Sequence, residues 1–533
     1  MNKGFGLSRK AKTSFTARAA AASELGNQEQ AEKLCRIAIA NNPSDLEAHQ
    51  LLASLLFRQS RNTEFIDTCK SITRLDPNNQ ASHNNLGNAL QSIGHFDEAK
   101  ASYIKALELK PEDPDVLHNL GTLYAKTENL DEAKRVLKIA IRIDPSNADS
   151  HNHLGGVYMQ EGNAEKAAKL CKKSATLNPN NPDSLNNLAV ALQNLGKIEE
   201  ALATYKESLE IDPNSSEVKW NYASCCFLRG DYKTGLKFID ERFANPRTQI
   251  HCKPQSEPWG KSSLQGCEEL LLITEQGLGD CLQFIRFVPI LKEMGIKVSL
   301  CAPEKLHSLI RASNIHQNPL KIDHASQVSD TPWLPIVSVI KLLDLNPKEA
   351  NYGKAYLSTS PSLKSKWQEI LKCEQKPIVG INWQGNKSQE RGNLIGRSFP
   401  LESLRALSEI KSIKLLSLQK GSGSEQLDTC SFRPSFVSSQ QQIETIWDFT
   451  ETAAIIENCD LIITNDTSIA HLAGGLGKAT WVLLKNVPDW RWGLEKRTFW
   501  YPSMRLFRQK ENNNWNDIIE ELVAEVSRTF PAK

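Results

Sequence analysis

The chain is short of net charge. Its 64 lysines and arginines meet 62 aspartates and glutamates, a formal charge of +2. That excludes the broad basic field that draws nucleic acid and an acidic tail alike. Long apolar runs are missing too: nothing approaches the roughly 18 continuous apolar residues of a spanning helix. The basic start, MNKGFGLSRKAKTSFTARAAAASELG, has no apolar core of the signal-peptide kind. The 12 cysteines include no Cys-x-x-Cys pair and no zinc-like Cys/His spacing, so they read as reduced structural thiols. Together these absences predict a soluble, bacterial-type cytoplasmic protein. At 533 residues the chain is too long for one ordinary core, and more than one domain is expected.

What the chain does have is a repeat. Prolines stand at 43, 77, 111, 145, 179 and 213, each 34 residues after the last. Small residues recur in the same register: Ala53, Gly87, Gly121, Gly155, Ala189 and Ala223 on a first helix, Ala31, Ala99, Ala133, Ala167 and Ala201 on a second. Small side chains let two helices approach, and proline ends the second helix because it lacks an N–H and restricts the residue before it. A period of about 34 residues is that of tetratricopeptide helical hairpins, which bury their apolar faces only against neighbours and present a concave surface. The pattern predicts about six repeats and a partial seventh over 1–245.

In such arrays the sixth position of the first helix points to the concave side. Here it holds Asn85, Asn119, His153, Asn187 and Asn221. Carboxamides both donate and accept, so a ladder of them suits the backbone of an extended peptide. Asparagine is also ordinary in consensus forms of this repeat, and the two readings stand side by side. His151 and His153 are two apart on a helix and face different ways, so they make no metal pair.

After Phe243 the period stops, and 246–266 has the polar, proline- and glycine-bearing texture of a linker. Beyond it, short apolar runs at 269–274, 297–302, 377–383, 413–418, 460–464 and 480–484 alternate with helical stretches. That alternation predicts a parallel sheet covered on both faces, long enough for two doubly wound halves, 267–375 and 376–533.

Two strand-loop-helix junctions carry the chemistry. In TEQGLGDCLQF (274–284) Gly277 and Gly279 allow a sharp turn at a strand end, with Gln283 further along, and Asp280 opens the helix. No third glycine completes a dinucleotide fingerprint, and a carboxylate there repels phosphate. Asp280 is therefore either a general base facing a hydroxyl or a helix N-cap. In LIITNDTSIAHLAGGLGK (461–478) free N–H groups around Thr467, Ser468 and Ile469 form an anion site for a diphosphate, with Asp466 for sugar hydroxyls and His471 one turn in. A capped helix with a core histidine is the alternative. The aromatic-basic run 488–509 offers Trp490, Trp492 and Trp500 for stacking or for packing.

Seven segments in order, GLGDCLQFIRFVPIL, VGINWQGN, RSFPL, LLSLQKG, DFTETAAIIENCDLIITNDTSIAHLAGGLGK, PDWRWGL and WYPSMRLFRQ, resemble one family. It is the bacterial fusion of tetratricopeptide repeats to a glycosyltransferase family 9 domain, similar to the lipopolysaccharide heptosyltransferases. The resemblance implies an α-solenoid followed by an α/β GT-B domain of two Rossmann-like halves, acceptor on the first and nucleotide sugar on the second. It implies Asp280 as acceptor-activating base, Asp466, Thr467 and His471 around the donor, and Arg397 where relatives carry a phosphate-binding lysine. Lys420 is a second cation, and Glu425 a ribose contact by a looser match.

The expected activity is metal-independent transfer of a sugar from a nucleoside-diphosphate sugar to a hydroxyl, without a cofactor. The repeats would recruit a protein or peptide, with a glycan or lipid-linked acceptor also open. The contrasting reading is an interaction scaffold with a non-catalytic transferase-like domain.

Overall fold

A computed structural model describes residues 14–245, 248–275, 277–347, 353–387, 390, 395–512 and 514–532. Three features recurring every 34 residues explain the repeats. Asp45, Asn79, Asp113, Asn147, Asn181 and Ser215 cap the first helix of successive units, each side-chain oxygen accepting from a backbone N–H two or three residues on. Such a cap contributes about 1 kcal/mol. The residue before each proline is drawn out of the helical region, with φ from −142° to −123° at Asn42, Asp76, Lys110, Asp144, Asn178 and Asp212. Between the two helices the chain turns through a left-handed residue at 26, 60, 94, 128, 162, 196 and 230.

Five of those turns are glycine; Ser60 and Glu128 are held at φ 58° and 62°. The left-handed conformation costs a side-chain-bearing residue about 1 kcal/mol. Ser60→Gly is therefore expected to raise the melting temperature slightly; a lowered one would show that the serine side chain is needed at this turn.

Close packing within a hairpin accounts for the small residues. A Cβ on Gly87 would lie 2.5 Å from the Tyr103 ring, one on Gly121 2.5 Å from Leu137, and one on Gly155 2.5 Å from the Cys171 sulfur.

The chain divides into two compact units after Pro179. The first holds the hairpins Phe15–Glu24 with Gln28–Asn41, Leu46–Arg58 with Asn62–Leu75, Gln80–Ser92 with Phe96–Leu109, Pro114–Lys126 with Leu130–Ile143, and Ala148–Gln160 with Ala164–Leu177. The second begins with Pro182–Asn194 and Ile198–Ile211, continues through Ser216–Arg229, Tyr232–Gly235 and the 3-10 turn Leu236–Ala244, and then enters two sheets. The break in packing thus comes three full helices, a short helix and a 3-10 turn before the polar segment 246–266. One apolar core explains this, running without interruption from Ala189 and Tyr205 through Phe227 and Ile239 into Leu272, Phe284, Leu472 and Trp500.

The first sheet joins β1 (Glu269–Ile273), β2 (Lys297–Cys301) and β3 (Trp333–Pro335), all parallel, in the order β2-β1-β3. The second joins β4 (Ile378–Asn382), β5 (Lys414–Ser417), β6 (Leu461–Asn465), β7 (Thr480–Leu484) and β8 (Met504–Arg508), all parallel, in the order β5-β4-β6-β7-β8. Strands β1, β4 and β6 are buried almost throughout, as expected with both faces covered. In both sheets the order reverses beside the first strand, which opens a crevice at the strand carboxyl ends: between β1 and β3, and between β4 and β6. The last helix, Asn516–Thr529, buries Ile518, Ile519, Leu522 and Val526 on the second half. It packs beside β8 and the turn Leu401–Glu409, covering its own sheet. Among the described residues no helix is long and apolar enough to cross a membrane.

Candidate functional site

The junction after β1 turns at Gly277, whose φ of +122° suits only a residue without a side chain. Gly277 also holds the cap position of helix Leu278–Phe284, which places Asp280 inside the first turn. The N-cap alternative for Asp280 is thereby removed. Gly279 serves a different purpose: a Cβ there would lie 2.9 Å from the His471 ring, so its absence lets this helix pack directly on Ser468–Gly475 of the second half.

That contact brings the two junctions into one site. Asp280 Oδ1 lies 2.7 Å from the Arg491 guanidinium, and the same guanidinium lies 2.7 Å from Asp489. Crowding by protein pushes the Asp280 carboxyl up to about 6; Arg491 opposes the rise, and Glu275, Asp489 and Asp466 add to it. The side chain keeps 28% of its exposure, so a small acceptor group can still reach it. Asp466 is likewise raised by burial and by Asp489, against Arg397. Lys485, just past β7, lies in the field of Asp489 and Asp466 and is drawn down to about 8 by burial.

At the β4/β6 crevice, Thr467 caps helix Ser468–Gly475 by position only. Its hydroxyl donates to Asn382 Oδ1 at 2.9 Å and makes no cap hydrogen bond to the helix start where Ser468 and Ile469 lie. Asn382 in turn donates to Gln419 at 2.8 Å, and Gln419 also receives the backbone N–H groups of Trp383 and Gln384. Arg397 is held against this crevice, donating to the Asp466 carbonyl at 3.3 Å and pairing with Glu390 at 3.7 Å. Gly385 makes room for its guanidinium. Among the described residues, the buried Nε atoms of Arg397 and Arg491 have no hydrogen-bond partner. Two guanidinium groups, a lysine and an uncapped helix start at strand ends form a setting for a multiply charged anion.

Several expected site residues are taken up by structural contacts. Lys420 donates to the Ile443 carbonyl at 2.5 Å, and burial lowers it to about 8, with Glu444 as the nearby charge. It thus ties the end of β5 to helix Gln440–Glu444 and does not share the field of Asp466 and Arg397. His471 is 4% exposed, stacked on Trp492 at 5.2 Å and bonded to the Tyr501 hydroxyl at 2.9 Å. Burial drives it down to about 3, so it is a neutral packing ring between the two helices. Gln283 is fully buried in its helix. Trp490, Trp492 and Trp500 are core residues, at most 3% exposed, and offer no face to a base or sugar.

The asparagine ladder has inter-repeat partners. Asn119 donates to Asn84 of the repeat before it at 3.0 Å, and Asn221 donates to Asn186 in the same way at 3.0 Å. His118 and His153 meet edge to face, 4.8 Å apart, at the equivalent step. One amide N–H of Asn119 and one of Asn221 thus tie successive repeats together, and each side chain keeps a second N–H. Asn85 is exposed on its helix and Asn187 is half-buried.

Asp489 and Arg491 lie in the PDWRWGL segment, where the resemblance assigns them no role, and Lys485 lies outside it. The signal is positional: a lysine directly after an apolar strand, then PDWRW, beside the strand that ends just before Asp466. A third participant is the terminal repeat. Phe227 packs on Trp490 at 4.8 Å, next to Arg491. Arg242 reaches the end of β1, pairing with Glu275 at 2.6 Å and donating to Ser338 at 2.8 Å, so it fills the β1/β3 crevice.

Tetratricopeptide-repeat family profiles match residues 16–80, 90–154 and 158–219. The N-terminal repeats are tetratricopeptide repeats. The protein FlbA of Caulobacter vibrioides is 25% identical over 313 residues, 51% of this chain and 48% of FlbA. The chain thus spans about half the length of this curated relative. Solved repeat structures are similar over parts of the chain. A tetratricopeptide repeat protein from Parabacteroides merdae is 14% identical, over 43% of this chain and 91% of that one, with a TM-score of 0.39. YrrB, described as having an unusual peptide-binding site, is 22% identical over 34% and 95%, with a TM-score of 0.28. The repeats support a protein-interaction role, and the second unit adds parallel α/β sheets to them.

Proposed function

We propose that the α/β part transfers a glycosyl group from a nucleoside-diphosphate sugar to a hydroxyl, while the repeats bind the protein that is, or delivers, the acceptor. The observation that carries this reading is the meeting of a carboxylate at the end of β1 with cations at the ends of β6 and β7. Asp280 takes the proton of the attacking hydroxyl. Arg397, Arg491, Lys485 and the N–H groups at Ser468 and Ile469 hold the diphosphate and stabilise the charge that develops as it leaves. Asp466 faces the donor sugar from the same crevice.

Thermal-shift measurement of the full chain with ADP-, GDP- and UDP-sugars is the test, because a ligand that binds only the folded state raises its melting temperature. At least one nucleotide class is expected to shift the transition at millimolar concentration. No shift with any of them, and none with the free diphosphates, would remove the donor site. One observation favours a second reading, a scaffold with a silent transferase-like domain: the Asp280 carboxylate is engaged in an ion pair. On that reading nucleotides bind and no transfer follows.

A further inference from the structure

Within the proposed transferase reading, we infer that Arg491 is a shuttle: it clamps Asp280 while the donor site is empty and passes to the diphosphate of the incoming donor, freeing the carboxylate to act as base. Three observations converge on this. The guanidinium bridges the two halves, one amino group 2.7 Å from Asp280 on the helix after β1 and the other 2.7 Å from Asp489 on the loop after β7. Its third nitrogen, Nε, is buried with no hydrogen-bond partner among the described residues. Its plane rests 4.6 Å from the centroid of Trp490, a ring 3% exposed that leaves the guanidinium a firm base from which to swing by one bond.

An ion-paired carboxylate is a poor base, because taking a proton breaks the pair. A diphosphate offers oxygens of higher charge, which match the planar fork of arginine. As the guanidinium turns to them, Asp280 loses its counter-charge while Glu275, Asp489 and Asp466 still face it, and its affinity for the acceptor proton rises. Donor binding and base activation are then one event. The hydroxyl of an acceptor that arrives first meets a carboxylate still held by Arg491.

Coupling of this kind is reciprocal: whatever frees Arg491 from Asp280 tightens diphosphate binding by the same factor. The test is a double-mutant cycle on binding, read by calorimetry on the full chain with ADP, GDP, UDP and inorganic pyrophosphate as probes, above the Asp280 pKa of about 6. Asp280→Asn is expected to tighten the best probe about tenfold and Arg491→Gln to weaken it about tenfold, the scale of one charged hydrogen bond. In Asp280→Asn/Arg491→Gln the gain from the first change should vanish, since no guanidinium remains to release. A general easing of negative charge would instead persist in the double variant, and that additivity would overturn the shuttle while leaving the donor site intact. If Arg491→Gln fails to fold, Arg491→Lys takes its place in the cycle, and unchanged or weakened binding in Asp280→Asn overturns the shuttle in either case. Absence of binding by every probe to both wild type and Asp280→Asn removes the donor reading itself and the shuttle with it.

Discussion

Asp280→Asn is expected to lower sugar transfer by about a hundred- to ten-thousandfold, the contribution of a positioned general base. The carboxamide is nearly isosteric, so helix Leu278–Phe284 and its packing on His471 should survive, and the melting temperature should stay close to that of the wild type. The wild-type rate should also carry the signature of this group. Its carboxyl is pushed up to about 6 by burial, and the base form is the deprotonated one. Activity is therefore expected to rise as pH increases through about 6 and to level off above it. The measurement is kcat/KM against pH with whichever nucleotide sugar binds. Turnover undiminished in Asp280→Asn, or a rate that falls as pH rises through that value, would take the base role from Asp280. The Arg491 shuttle makes a further demand: in Arg491→Gln the acid limb should move to higher pH, because the guanidinium is the group that opposes the rise.

Much of this arrangement was legible in the residues, for reasons that are local. The 34-residue proline spacing fixes the repeats because a pre-proline residue leaves the helical region at each occurrence, and the matching caps at Asp45 through Ser215 follow the same register. Six of the eight strands stood out as apolar runs. The other two did not, for physical reasons: β3 is three residues long and ends in Pro335, and β8 breaks its apolar Met504, Leu506 and Phe507 with two arginines, of which Arg505 sets its guanidinium over the Trp481 and Phe507 rings. At the site, residues on the two glycine-rich junctions could be singled out because a strand end followed by a helix start is a pattern in one dimension. What escaped is pairing across the fold. Nothing in PDWRW announces that its arginine meets a carboxylate 211 positions earlier, and the tryptophans beside it look like a stacking platform until burial shows them to be core. The asparagine ladder was legible in position but not in pairing. Its residues are where the repeat puts them, and the 35-residue step from Asn84 to Asn119 and from Asn186 to Asn221 turns one amide N–H of Asn119 and of Asn221 onto the neighbouring repeat.

The boundary between repeats and α/β sheets leads to the second large effect. Arg242 belongs by sequence to the last half-repeat, yet its guanidinium lies in the β1/β3 crevice, bonded to Glu275 at 2.6 and 3.0 Å, to Ser338 at 2.8 Å and to the Ile239 carbonyl at 2.9 Å. Both charged side chains are about 5% exposed or less. Removing one member of such a pair leaves the other buried without a counter-charge, which costs about 3–5 kcal/mol. Arg242→Ala is thus expected to lower the unfolding free energy of the second unit by that amount in denaturant titration. Replacing both charges, as in Arg242→Met with Glu275→Gln, should return most of it, since no unpaired charge remains and the glutamine can still accept from the Val337 N–H that Glu275 now holds. A loss below about 1 kcal/mol in Arg242→Ala would show that the pair is solvated and the terminal repeat only loosely attached. The larger loss carries a functional corollary. Glu275 is five residues before Asp280, and Phe227 of the same half-repeat packs on the ring beside Arg491. The terminal repeat therefore supports both partners of the ion pair at the site. Sugar transfer in Arg242→Ala should fall even at temperatures where the chain remains folded, and the double variant should regain stability before it regains rate.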